Sequence, residues 1–149
     1  MTATKACPIV LRSRHGIVHI LAFKHPAAGY QLVKGTIEQG ESPPEAAIRE
    51  LCEESGICDA HVVSDLGLWN ASYQEQIWSF QLCESVAKLR DEWTFETSDD
   101  GGHMFEFYWH PLQRDLPEQC HPLFQSALRE IRIRIGTLTR STLSSIPQL

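Results

Sequence analysis

Three glutamates and an arginine crowd one short stretch, Arg49-Glu50-Leu51-Cys52-Glu53-Glu54. Glu50, Glu53 and Glu54 are spaced i, i+3 and i+4, so a helix through them projects their carboxylates within about 100° of one another. Like charges at that spacing repel. A hard divalent cation relieves the repulsion, and oxygen donors suit Mg²⁺ or Mn²⁺. Arg49 lies four residues from both Glu45 and Glu53, close enough to pair with either and orient a carboxylate. Upstream, Gly35 and Gly40 bound a loop whose backbone can approach a phosphate or a metal. Taken alone, three acids at this spacing more often form a solvated helix face. Their meaning depends on the elements that place them.

The start of that helix is well marked. Ser42 is a good N-cap, Pro43 takes the first helical position, and Glu45 completes a capping box. Gly56 is the expected C-cap. Pro44, Ala47, Ile48 and Leu51 share about 100° of the helical wheel and form the predicted buried stripe, with the glutamates beside or opposite it. Residues 6–13 and 17–24 read as a hairpin turning at Arg14-His15-Gly16, and residues 30–33 as a short strand. Residues 59–69 read as a strand bent near Gly67, and 76–84 and 103–109 as further strands. Residues 86–102 read as a polar, acidic loop. Residues 120–135 carry apolar positions at Leu123, Phe124, Ala127, Leu128, Ile131 and Ile135, a second amphipathic helix. The Ser/Thr-rich tail 137–149 is expected to fray. The sum is one mixed α/β (α+β) domain over residues 1–149, with mostly antiparallel strands and two helices.

Composition narrows the function. A chain of 149 residues suits one core. A net charge of −6 argues against a stable nucleic-acid partner. No apolar run of about 18 residues suggests a membrane span, and the N-terminus reads as a strand, so a cytoplasmic location is expected. The five cysteines are odd in number and lack a CxxC pair, so they read as small apolar residues, not as a disulfide framework.

Across residues 35–57 the sequence resembles the Nudix box, G-x5-E-x7-R-E-U-x-E-E-x-G-U, where U is a bulky aliphatic. Gly35, Glu41, Arg49, Glu50, Leu51, Glu53, Glu54, Gly56 and Ile57 fill every defined position. At ordinary residue frequencies such a match arises by chance in about one start position in 10⁸ or fewer. The resemblance implies a Nudix fold, a mixed β-sheet sandwiched between α-helices. It also implies hydrolysis of a pyrophosphate bond in a nucleoside diphosphate linked to another group, X, with Mg²⁺ as cofactor and Mn²⁺ as a substitute. By position, Glu53 and Glu54 would be metal ligands, Glu50 a ligand or the general base, and Gly35 a carbonyl ligand. Arg49 would orient the glutamates, and Glu41 would support the loop–helix junction. Some relatives place the base in a later loop, where Glu92, Glu96, Asp99 and Asp100 are candidates.

Substrate choice lies outside the box. Tyr73, 16 residues beyond Ile57, is similar in spacing to a tyrosine of the family's dinucleoside polyphosphate hydrolases, and its ring could stack on a base. Lys34 is placed to bind phosphate, and Lys24 and Arg14 could line the same cleft. Trp69, Trp78, Phe105, Phe107 and Trp109 read as core. The leading expectation is a nucleotide substrate of the dinucleoside polyphosphate or capped-nucleotide type. A nucleoside triphosphate pyrophosphatase that removes modified nucleotides is a second reading, and a non-catalytic nucleotide- or RNA-binding module a third. The family also allows a homodimer.

Overall fold

The structure is a computed structural model and describes residues 1–98, 101–138 and 146–148. Its elements are β1 (Lys5–Arg14), β2 (Ile17–His25), β3 (Gly29–Gln31), β4 (Gly35–Thr36), α1 (Pro43–Ser55), β5 (Ala60–Asn70), β6 (Ile77–Ser85), β7 (Trp93–Glu96), β8 (Met104–Pro111) and α2 (Pro122–Gly136). The strands form one mixed sheet ordered β5-β6-β1-β2-β8-β7, with β3 on β2 and β4 on β1.

The first hairpin turns where expected. His15 and Gly16 both take positive φ, 52° and 76°, the backbone twist that a two-residue hairpin loop requires. β1 is the hub of the sheet. Its first half runs parallel to β6 and holds β4 at Lys5 and Ala6, and its second half runs antiparallel to β2. β5 pairs with β6 through two irregularities, one of them at Gly67 (φ 89°), where a bend was expected.

Among the described residues, each face of the sheet carries one helix. Cys7, Ile9, Leu11, Trp78, Phe80 and Leu82 point to one side and meet α2 through Phe124, Ala127, Leu128, Ile131 and Ile135. On the other side Val10, Phe23, Phe105, Phe107 and Trp109 meet Leu51 of α1, and Ala6 meets Ala46 and Ala47. The sandwich architecture is therefore as expected. Burial of Leu51 alone contributes about 2 kcal/mol to docking α1.

Two expectations need correction. The loop 86–102 contains β7, which pairs with β8. Trp93 stacks on Phe107 at 5.2 Å between centroids, and packing of this kind makes a strand of a polar stretch. In the tail, Ile146 is buried and Ser13 donates its backbone N–H to the Pro147 carbonyl at 2.7 Å, while 139–145 and 149, where fraying is expected, lie outside the described residues. Finally, Cys52 and Cys58 form a disulfide. They flank the C-cap turn, which brings together Cα atoms that a linear spacing does not show to be close. Cys7 and Cys83 are buried, as expected of small apolar residues.

Candidate active site

The predicted helix signals all appear. Ser42 Oγ accepts from Glu45 N and Glu45 Oε1 accepts from Ser42 N, a complete capping box, and Pro stands in the first turn. Such caps contribute about 1 kcal/mol to an N-terminus. At the other end Gly56 takes φ 81° and donates to the Cys52 carbonyl. The Trp93 indole adds a hydrogen bond to the Ser55 carbonyl at 2.9 Å. The helix that carries the glutamates is thus braced at both ends.

Arg49 organises the acids. Its Nε and Nη2 donate to the two oxygens of Glu41 at 2.7 and 2.9 Å. Nη1 donates to Glu50 Oε1 at 2.8 Å and to Glu53 Oε2 at 3.1 Å. Nη2 also reaches the Thr36 carbonyl at 2.9 Å. Two carboxylates of α1 therefore converge on one nitrogen. The expected partner Glu45 is instead committed to the cap, and Glu41 takes its place. Glu41 also accepts the Glu38 amide at 3.0 Å, which ties the 35–41 loop to the helix. That partner was hidden because Glu41 lies outside the helix, so helical spacing does not relate it to Arg49.

Glu50, expected beside the Leu51 stripe, is buried. It is only 7% exposed and packs against Gly35. A Cβ on residue 35 would overlap the Glu50 carboxylate, so the glycine is required for close approach. The wheel placed Glu50 at the flank of the Leu51 stripe, and β4 closes over that flank.

The Glu41 carboxyl is held at about 2, well below its ordinary 4.5, first by the Arg49 hydrogen bonds and then by the Glu38 amide. The same contacts push the Arg49 guanidinium pKa upward. A depressed folded-state value stabilises the fold above the unfolded value and loses that stability as pH falls. Wild-type Tm should accordingly drop more steeply from pH 4.5 to 2 than that of Glu41→Gln. Parallel slopes in thermal melts would remove Glu41 from this role.

Glu54 and Lys34 line a cleft of about 720 Å³ with Gln31, Tyr73, Gln76 and His121. Lys34 lies 5.5 Å from the Trp78 ring centroid. Burial and the neighbouring Lys5 lower its pKa, while Glu54, Cys7 and Glu50 pull the other way. The β5–β6 turn presents Tyr73 to the cleft. Ser72, Gln74 and Glu75 there take left-handed φ values of 52°, 49° and 58°, and Asn70 Oδ1 accepts the Ser72 amide. Such values are uncommon for residues other than glycine. The Tyr73 ring lies 5.0 Å from that of His121, the N-cap of α2. Sequence reasoning missed His121, Gln31 and Gln76, which carry no motif and reach the cleft only through folding.

Lys24 lines a different cleft with Tyr30, Glu92 and Glu106, and Arg14 is exposed at the hairpin end of β1. Glu92 does not line the cleft of Glu54. Glu96 pairs opposite Met104 in β7. Asp99 and Asp100 lie outside the described residues.

Among the described residues no three His, Cys, Asp or Glu side chains stand as a ready-made metal cluster. Glu50 and Glu53 turn to Arg49, and Glu54 lines the cleft. The donor set nonetheless fits a hard divalent cation: three carboxylates with a carbonyl at Gly35, all oxygen, and a guanidinium that offsets the charge of two of them.

Comparison with known proteins agrees with this frame. An RNA pyrophosphohydrolase of Rhizobium meliloti is 29% identical over 126 residues, covering 74% of this chain and 75% of that protein. Nudix hydrolase 25 of Arabidopsis thaliana is 34% identical over 61 residues, 41% of this chain, and the chain spans only 35% of its length. A solved ADP-ribose pyrophosphatase of Streptococcus suis shares the fold at TM-score 0.64, with 12% identity and 98% of each chain covered. The NUDIX domain family matches residues 2–122, well over half the sequence, and on that match the chain belongs to the Nudix family.

Proposed function

We propose that this chain is a divalent-cation-dependent pyrophosphohydrolase acting on a nucleoside diphosphate linked to X, with a dinucleoside polyphosphate or a capped nucleotide as the preferred class. The observation that carries this reading is the convergence of Glu50 and Glu53 on one nitrogen of Arg49, beside Gly35 and next to the cleft of Glu54 and Lys34. The cleft, at about 720 Å³, is of ligand size. The name of the Rhizobium relative, an RNA pyrophosphohydrolase, supports the bond type.

Glu50, Glu53, Glu54 and the Gly35 carbonyl would hold the cation. Mg²⁺, when bound, supplies charge neutralisation on the pyrophosphate and makes water more acidic. Arg49 fixes Glu50 and Glu53 in place, which leaves less reorganisation to the reaction. Glu50, buried and paired with Arg49, would be a ligand or take a proton. Lys34 brings a partly desolvated ammonium to phosphate oxygens, where low dielectric strengthens the attraction. Tyr73 offers a ring to a base, a contact of about 1–3 kcal/mol in nucleic-acid complexes.

A substrate panel with Mg²⁺ or Mn²⁺, its products separated by chromatography, tests the reading. Dinucleoside polyphosphates or capped nucleotides should be cleaved to two nucleotides. Release of inorganic pyrophosphate from nucleoside triphosphates as the fastest reaction would transfer the assignment to a triphosphate pyrophosphatase. Nucleotide binding with no turnover across the panel would point to a binding module. Hydrolysis in ¹⁸O water would show which phosphorus is attacked.

A further inference from the structure

We propose that Cys52 and Cys58 form a redox-reversible clamp on the metal-holding turn of α1, opened by an anionic low-molecular-weight thiol such as glutathione. The inference rests on the reading of Glu53 and Glu54 as cation ligands.

The disulfide spans six positions with Cα atoms 4.5 Å apart. It closes a covalent ring around Glu53, Glu54, Ser55, Gly56 and Ile57. Both glutamates therefore lie inside the loop that the bond defines. Within the ring the Gly56 amide donates to the Cys52 carbonyl and the Ile57 amide to Ser55 Oγ, and the Trp93 indole braces Ser55 from outside. The last turn of a helix is where fraying starts. The cross-link restricts that fraying on the side where Glu53 and Glu54 emerge.

The bond is reachable. Cys58 is exposed and Cys52 partly so, whereas Cys7 and Cys83 are buried. Cys58 lines a cleft of about 640 Å³ together with Leu89, Trp93 and two cationic residues, Lys88 and Arg90. The carboxylate of Asp59, also in this cleft, is engaged by the Ser85 hydroxyl and the Ala87 amide. Lys88 and Arg90 outweigh the single negative charge of Asp59, so an anionic thiol meets net positive charge in the cleft of the exposed sulfur.

The chemistry balances as thiol–disulfide exchange. A glutathione thiolate attacks Sγ of Cys58, the S–S bond breaks, and Cys52 leaves as a thiolate and takes up a proton. A second glutathione attacks the mixed disulfide and releases Cys58 as a thiol. Two glutathiones become one glutathione disulfide, and the protein gains two hydrogens. An excess of glutathione disulfide drives the reverse.

The whole chain, equilibrated in glutathione buffers of stepped ratio, is quenched and examined by intact mass, amide hydrogen exchange and Mn²⁺ calorimetry. Reduction should add two hydrogens, speed exchange at residues 53–56 by about tenfold, and weaken Mn²⁺ binding by about three- to tenfold. Cys58→Ser and Cys52→Ser should each match the reduced protein in exchange and in Mn²⁺ affinity at every glutathione ratio, the remaining thiol forming at most a mixed disulfide. Equal exchange and equal Mn²⁺ affinity in both redox states would overturn the clamp, as would a glutathione-dependent change in Mn²⁺ affinity that survives in both Cys58→Ser and Cys52→Ser. Separate titration of Glu53→Gln and Glu54→Gln distinguishes the two ideas. Wild-type Mn²⁺ affinity in both variants would sink the ligand assignment, and the exchange result would then judge the clamp by itself.

Discussion

Turnover of Glu53→Gln and of Glu54→Gln should each fall by about a thousandfold, a loss of about 4 kcal/mol of transition-state stabilisation. Glutamine keeps the size and helix propensity of glutamate, so α1 should still fold. What disappears is the charge, and a hard cation gains little from a neutral amide in its place. The two variants should differ in a second respect. Glu53 accepts from Arg49 at 3.1 Å, so its replacement also loosens the guanidinium that holds Glu50. Glu54 lines the cleft with Lys34, so its replacement also alters the field at the ammonium. Raising Mg²⁺ should recover part of the lost rate in both, because weakened binding yields to mass action. Thermal melts must accompany the kinetics, and a melting temperature near wild type assigns the loss to the site. Near wild-type turnover in both variants would remove the proposed metal site.

Gly35→Ala should be almost as damaging by a different route. The new methyl group would occupy the space of the Glu50 carboxylate. Glu50 has no easy retreat, because it is 7% exposed and held by Arg49 at 2.8 Å. Overpacking at such a site costs about 1–3 kcal/mol of stability. Displacing Glu50 also takes a carboxylate from the place where it would act, so turnover should fall by about a hundredfold or more. A double-mutant cycle separates the two losses. Gly35→Ala combined with Glu50→Ala should recover the melting temperature, since the clash is gone, without recovering turnover. Failure of Glu50→Ala to relieve the destabilisation would show that the clash with Glu50 is not its source.

The features legible in the sequence were those governed by neighbours in the chain. Ser42, Pro43, Glu45 and Gly56 fix the ends of α1 through bonds spanning three or four residues, and they are found where they were read. The six apolar positions of α2 are the buried ones. What escaped depends on contacts distant in sequence. β7 is four residues long, and Trp93 and Phe95 alternate with Thr94 and Glu96. That alternation was a signal, but an acidic stretch surrounds it and packing against Phe107 decides it. Glu50 is buried because β4 folds back over the helix flank, which a helical wheel cannot represent. The candidate site divides in the same way. Arg49 and the three glutamates carry a local signature, whereas Glu41 as the main partner of Arg49 and His121 beside Tyr73 emerge only from the fold.

The parallel pairing of β1 with β6 sets an order of assembly. Lys5 lies opposite Trp78 and Val10 opposite Cys83, so the central strand gains this partner only once Trp78 to Cys83 have been made. Until then Ala6 lacks the completed sheet against which Ala46 and Ala47 pack. Closing such a long loop is entropically costly and slows folding. A nascent chain emerging from the ribosome can form α1 early, since its caps are local. It cannot give that helix its full platform until β6 has joined β1, so the acidic residues of α1 are made before the sheet beneath them is complete.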